Sequence, residues 1–331
     1  MPAGTEPGGE ARPGRILITG AGGFAGLHLL PALRAAYPGA VLIGASRRGA
    51  VPGTDESLHL DLDDTAALPD AVAQARPDAV IHLAAQSDVA ASFRDPPGTW
   101  RTNLWGTSAL GEAVLRAAPA ASFLFASSGE VYGLAFQAGR PLDEESYFAP
   151  ANPYAASKAA ADLAVGEMAL RGLRAVRLRS FTHTGPGQTP GFVVAAFARQ
   201  VARIEAGRQE PVVRAGALDR WRDFLDVRDV CAAYVIALRA AQRLPPGMAF
   251  NLCSGIPRRV GDILDALLAL AGLTARVEQE PALLRPTDVT RVQGDPSRIG
   301  RTLSWAPQVP WEETLRTVLD DWRGRVAAER D

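Results

Sequence analysis

From Arg15 to Ala36 the sequence runs RILIT, then GAGGFAG, then a helical pattern. Three glycines, Gly20, Gly23 and Gly26, thus fall between the end of an apolar strand and the opening of a helix. Glycine permits a tight turn and close backbone approach, and the N-terminus of the following helix offers unpaired N–H groups to an anion. The stretch predicts the first βαβ unit of a parallel sheet, with a dinucleotide pyrophosphate seated over Gly20, Gly23 and Gly26.

The alternation continues. Apolar runs over 40–46, 78–85, 121–128 and 173–180 read as strands, and helical patterns over 65–74, 99–118 and 153–172 separate them. Near-continuous apolar content means burial on both faces of a sheet. After Ser180 the pattern changes to a Gly/Pro-rich loop, FTHTGPGQTPG, followed by a helix from Phe192 to Ala206 and the short strands EPVVRAG and WRDFLDV. A helix from Val227 to Arg243 and the strand MAFNLC return to the sheet, and VGDILDALLALAG and WEETLRTVLDDWR form further amphipathic helices. The expected architecture is α/β, a Rossmann-type doubly wound parallel sheet with a smaller, discontinuous α/β substrate domain. The cofactor-binding domain is expected over 15–180 and 225–251, the substrate domain over 181–224 and 252–331, and a disordered tail over 1–14.

Charge excludes two partner classes. With 35 basic and 36 acidic residues, net charge -1, nothing favours nucleic acid or an anionic membrane. Cys231 and Cys253 lack the spacing of a disulfide framework or zinc site, so a reducing cytoplasm is the expected home and no metal is expected. Residues 1–14 carry no apolar core of a signal peptide, and no apolar run reaches the ~18–20 residues of a membrane span.

The second strand ends in GASRRG, where a dinucleotide fold binding NAD places a carboxylate on the ribose. Ser46, Arg47 and Arg48 instead offer a hydroxyl and two cations to a 2′-phosphate, which favours NADP(H) over NAD(H); a solvated basic turn is the alternative. Asp61 and Leu62 follow the third strand and border the adenine or begin a helix. Tyr154 and Lys158, four apart on a helix, share one face. A nearby ammonium would lower the phenol pKa and make Tyr154 a proton donor or acceptor near neutrality. His82 sits in an apolar strand and reads as core, while His28 and His59 have no partners in the pattern and His183 lies in the loop after Ser180.

With GxxGxxG at Gly20, HLAAQS at 82–87, SSGEVYG at 127–133 and YAASK at 154–158 in order, the chain resembles the extended short-chain dehydrogenase/reductase family over residues 15–326. RSFTHTGPGQ, GFVVAAFARQVARIE, RDFLDVRDV, FNLCSG and LLRPTDV resemble more narrowly the GDP-4-keto-6-deoxymannose reductases, relatives of the GDP-mannose 4,6-dehydratases. That resemblance implies a catalytic set of Ser128, Tyr154, Lys158 and Glu130, with Ser128 and Tyr154 at the substrate C4 oxygen. It implies cofactor contacts from Phe24, Ala25, Leu83, Ala84, Ala85 and Phe181 besides those above. Substrate contacts are implied at Ser87, Thr182, Val193, Arg222, Arg285 and Asp288, with Ser87 near the sugar and Asp88 either beside it or capping a helix.

Sugar 4,6-dehydratases carry Thr-Asp-Glu or Thr-Ser-Glu where this chain reads Ser128, Gly129, Glu130. Gly129 lacks the acid arm of elimination, so the resemblance implies NADPH-dependent reduction of GDP-4-keto-6-deoxy-D-mannose to GDP-D-rhamnose; a glycine serving only the backbone is the alternative. A 4,6-dehydratase or 4-epimerase of the same family, or a non-catalytic NADP-sensing protein, are the rival readings. Thr182 and Ala217 stand where the family has asparagines. A homodimer through the helices near 99–118 and 153–172 is implied as well.

Overall fold

The computed structural model describes residues 13–47, 49–283 and 289–329. Of the expected tail, residues 1–12 lie outside the described residues. In chain order the elements are β1 (Arg15–Thr19), α1 (Phe24–Ala36), β2 (Val41–Ser46), β3 (Glu56–His59), α2 (Leu68–Ala75), β4 (Ala79–His82), α3 (Val89–Arg94) and α4 (Pro96–Trp100). A π-helical turn (Arg101–Gly106) leads into α5 (Thr107–Ala117), then β5 (Ser122–Ser128), a 3-10 segment (Gly129–Ala138), α6 (Pro153–Leu170), β6 (Arg174–Ser180) and β7 (Thr182–Thr184). The remainder comprises α7 (Val193–Glu205), β8 (Val212–Ala215), β9 (Trp221–Asp226), α8 (Val227–Ala240), β10 (Met248–Leu252), β11 (Pro257–Arg259), α9 (Val260–Leu270), β12 (Arg276–Gln279), α10 (Ser297–Leu303) and α11 (Trp311–Ala328).

Seven strands form one parallel sheet in the order β10-β6-β5-β4-β1-β2-β3. The order reverses between β1 and β4, and in open α/β sheets ligands bind at the carboxyl ends of the strands beside such a switch. The RILIT strand explains its own place: Ile16, Leu17 and Ile18 are fully buried because helices cover both faces. Alternate strand residues feed a core under α1 and α8 and another under α2, α5 and α6. The fold is Rossmann-type, and MAFNLC returns to the sheet as β10 beside β6.

Outside the large sheet, β9 pairs with β7 in parallel and with β11 antiparallel, and β12 pairs with β8. Helices α7, α9 and α11 enclose a separate apolar cluster against β8 and β9. The two sheet systems meet through side chains: the Asp223 carboxylate on β9 accepts from the N–H groups of Ser254 (2.7 Å), Gly255 (2.9 Å) and Gly294 (3.3 Å). A fully buried carboxylate with that many donors is a fixed joint between β9 and the loops on either side.

The helix expected over 99–118 is present as α4, a π-helical turn and α5 in unbroken succession, and Gly106 at the end of the π turn lies against Leu62: a Cβ there would sit 2.7 Å from the Leu62 Cβ. The stretch after Ser128 coils as a 3-10 segment whose Gly133 (φ 47°) presses on the Ala149 carbonyl, a place only glycine fits.

Within that segment, the buried Tyr132 hydroxyl donates to Asn251 Oδ1 (2.8 Å) and accepts from Arg179 (2.9 Å), joining it to β10 and β6. Burial pushes this phenol up to about 12, so it stays neutral. Tyr132→Phe keeps the ring packing but strips a partner from Arg179 and Asn251. It should cost about 1–3 kcal/mol, read as a lower midpoint in urea unfolding.

Candidate active site

The glycine turn after β1 has the shape the sequence requires. Gly20 is left-handed (φ 71°), and a Cβ on it would lie 2.8 Å from the Ala84 nitrogen. A Cβ on Gly26 would lie 2.5 Å from the Gly20 carbonyl oxygen, so α1 packs directly on the turn. Gly23 donates its N–H to Gly20 (2.9 Å) and begins α1 with no side-chain cap, leaving the first-turn N–H groups of Phe24, Ala25 and Gly26 for an anion. Leu83 and Ala84 follow β4 alongside, their N–H groups bonded to Thr19, and Ala85 is half-buried next to them. This cradle fits a dinucleotide: side chains are excluded where the backbone must approach a pyrophosphate.

The other expected cofactor residues divide. Arg47 is exposed in the turn after β2, and Arg48 lies outside the described residues. Asp61 is half-buried and accepts from Asp63 N–H (3.1 Å), whereas the Leu62 side chain is buried in the core under α2 and α5. Phe181 was expected at the cofactor, but its ring is 3% exposed and packs edge-on against Phe136 and over Gly129. The Phe181 carbonyl accepts from His183 Nδ1 (3.0 Å).

Ser128 ends β5, and Tyr154 opens α6, whose N-terminus is capped by Asn152 accepting from Ala155 N–H (2.8 Å). Burial raises the Tyr154 phenol to about 12; a hydrogen bond with Ser128 opposes the shift and the Glu130 charge adds to it. Lys158, the only lysine in the sequence, donates to the Ala126 carbonyl and lies 4.3 Å above the Phe125 ring. Burial lowers it to about 7, with Asp162 opposing. The expected depression of the phenol by the ammonium is therefore overturned. Desolvation dominates at Tyr154, and Lys158 is directed at the β5 backbone. The phenol holds its proton at neutral pH and is suited to give it up to a developing oxyanion.

Glu130 is half-buried, with Asn152 donating to its carboxylate (3.4 Å). Both line a cleft together with Val89 and Phe93 of α3, Phe136 and Arg222. Arg222 also donates to the Trp221 carbonyl (2.8 Å). Thr182 on β7 and Val193 at the start of α7 are half-buried. Ser87 is exposed, and Asp88 caps α3 by accepting from Ala90 (2.8 Å) and Ala91 (3.1 Å). Arg285 and Asp288 lie outside the described residues.

Three polar residues in and behind the site carried no signal that singled them out as site residues in the sequence. Asn103, in the π turn, accepts from Gln86 N–H (2.8 Å) and donates to Ser157 (2.9 Å), tying α6 to the loop after β4. Asn152 and Asp162 flank Tyr154 and Lys158 on or beside α6. An asparagine just before a proline-led helix was a readable cap; nothing in sequence spacing marked Asn103. His82 is a core residue bonded to Thr19 (2.7 Å) and Thr107 (2.9 Å), with burial lowering it to about 3. His28, which had no partner in the sequence pattern, bonds the Pro186 carbonyl (2.7 Å). Among the described residues no group of three or more potential ligands could hold a metal, and no helix is long and apolar enough to cross a membrane.

Residues 17–318 match the family described as GDP-mannose 4,6 dehydratase. The chain belongs to that family. With it the chain joins the extended short-chain dehydrogenase/reductases. It is 37% identical over 316 residues to a GDP-6-deoxy-D-mannose reductase of Pseudomonas aeruginosa, covering 95% of this chain and 99% of the relative. It is 31% identical to GDP-mannose 4,6 dehydratase 2 of Arabidopsis thaliana over 80% of this chain and 70% of that protein. A solved structure of RMD from Pseudomonas aeruginosa complexed with NADPH superposes with a TM-score of 0.82 at 36% identity, over 94% of this chain and 99% of that one.

Within this family site, Gly129 has a packing role. It does not adopt a left-handed conformation, and a Cβ on it would lie 2.7 Å from the Phe181 ring. Gly129→Ala should displace that ring from its place against residue 129, next to Ser128 in the chain, lower stability by about 1–3 kcal/mol and reduce turnover. Thermal unfolding and steady-state kinetics on the same variant check both.

Proposed function

We propose that this chain reduces the C4 ketone of GDP-4-keto-6-deoxy-D-mannose to GDP-D-rhamnose at the expense of NADPH. The observation that carries the reading is the pairing of a protonated Tyr154 with Ser128 at the β5 end, beside a Gly129 whose side-chain space is filled by Phe181. Redox chemistry at C4 needs one hydride and one proton. Elimination across C5 and C6 also needs an acid at position 129, which is absent.

When bound, NADPH supplies the hydride. Ser128 holds the C4 oxygen by hydrogen bond, and Tyr154 gives it the phenol proton as charge develops there. Lys158, which in this structure donates to the Ala126 carbonyl, would bind the cofactor ribose. Glu130, kept in the cleft by Asn152, accepts from sugar hydroxyls. Arg47, with Arg48, would hold the 2′-phosphate, which would favour NADP(H) while leaving NAD(H) usable. Arg222, Thr182 and Val193 hold the sugar nucleotide, so residues 15–180 and 225–251 act as the cofactor domain and 181–224 and 252–331 as the substrate domain.

Two further assignments belong to this reading. Trp105 (62% exposed) on the π turn and Leu163 (61%) on α6 give the packed pair α5 and α6 an apolar outer face, suited to a homodimer. The free thiols Cys231 and Cys253, both buried, suit a reducing cytoplasm. Glu130 in the cleft favours one rival, a 4,6-dehydratase retaining its base.

Incubation with the 4-keto-6-deoxy nucleotide should consume NADPH in step with product. Tyr154→Phe should lower kcat by ~100-fold or more with cofactor affinity nearly unchanged. GDP-mannose and NADP should yield no 4-keto-6-deoxy sugar by mass spectrometry; its appearance would place the chain among the dehydratases.

A further inference from the structure

Asp162 is a charged residue on the core face of α6, one helical turn past Lys158 and two past Tyr154, with no side-chain exposure. Its Oδ2 accepts from Ser127 Oγ (2.5 Å) and Arg179 Nε (3.0 Å), and its Oδ1 from Arg179 Nη2 (3.0 Å) and Arg177 Nη1 (2.8 Å). Ser127 is the residue before Ser128 on β5, and Arg177 and Arg179 lie on β6. One carboxylate thus ties the helix carrying Tyr154 and Lys158 to the strand carrying Ser128.

We propose that Asp162 is a positioning residue of this active site, setting the depth and rotation of α6 that bring Tyr154 to Ser128 and Lys158 to the Ala126 carbonyl, and serving as the counter-charge of that lysine. The inference rests on Tyr154 and Lys158 being the reacting pair. A helix that slid or turned on the sheet would move both side chains together, and a displacement of ~1 Å can cost ~100-fold in rate.

Among the described residues Asp162 is the anion that acts on Lys158. On β4, His82 is neutral. Arg177 and Arg179 are engaged with Asp162 itself. Glu130 of the 3-10 segment acts on Tyr154. On α5, Glu112 is paired with Arg171 and Arg116 is exposed, as are Arg94 of α3 and Arg101 of the π turn. Burial opposes the ammonium and Asp162 favours it, so the amine is charged below about 7 and loses its proton as pH rises through that value. Removing the carboxylate moves that loss to lower pH.

Because Lys158 is the only lysine, protein labelled with carbon-13 lysine gives one side-chain signal that reads this amine without substrate or cofactor. The result therefore stands apart from the proposed reaction. In Asp162→Asn the midpoint of that signal should fall by ~1 pH unit or more, and kcat by ~10-fold or more with KM little changed. A folded Asn variant, checked by circular dichroism, with the wild-type midpoint would overturn the proposal. Should the Asn variant not fold, Asp162→Glu keeps the charge and lengthens its reach. That variant should retain a near wild-type midpoint with kcat lowered by ~10-fold; a wild-type kcat in it would overturn the proposal.

Discussion

A carboxylate withdrawn wholly from water must be matched, and matching Asp162 organises the centre of this protein. Burying an unpaired charge costs several kcal/mol, offset only when good geometry satisfies its lone pairs. Here the forked pair with Arg179, one bond from Arg177 and one from Ser127 fill the acceptor sites. Burial alone would push Asp162 up, but Arg179 above all holds it below the usual carboxylate range. Arg179 then extends the network to Tyr132 and the Glu144 carbonyl, and Tyr132 to Asn251. The network crosses from α6 through β6 to β10 and reaches the 3-10 segment after Ser128. Four elements that the chain brings together from far apart are thereby locked in one register beneath the cleft.

That scaffold lets two neighbouring groups titrate in opposite directions from the same cause. Desolvation disfavours charge, so it raises an acid and lowers a base. Tyr154 remains a neutral phenol and Lys158 becomes a weakly held ammonium, both near the carboxyl ends of the strands. A phenol that keeps its proton is the form that reduction of a ketone requires. Asn152 links this chemistry to the cleft, since one amide both caps the helix of Tyr154 and holds the Glu130 carboxylate.

Much of this was legible where chain-local rules dominate. RILIT followed by GAGGFAG led to β1, the left-handed Gly20 and the close packing of α1, because glycine sterics act between near neighbours. The long apolar strands were legible because burial on both faces leaves continuous runs. The π-helical turn inside the helix over 99–118 was not, since the change of hydrogen-bond pattern leaves no mark in residue spacing. The short helices α3 and α10 span too few turns to show a period. Tyr154 and Lys158 were visible as a spacing, but the sign of the phenol shift depends on depth of burial, which spacing does not encode. Gly129 read as a missing acid; only the packed structure shows the Phe181 ring in that space.

Whether C4 is the sole carbon to react can be read directly from an isotope. With NADPH deuterated at both C4 hydrogens of the nicotinamide and the 4-keto-6-deoxy nucleotide as substrate, NMR of the product locates the label. Reduction by this site predicts one deuterium at sugar C4 and none at C5 or C6. Product formed without deuterium at C4, or hydrogen exchanged from solvent at C5 or C6 in step with turnover, would contradict it.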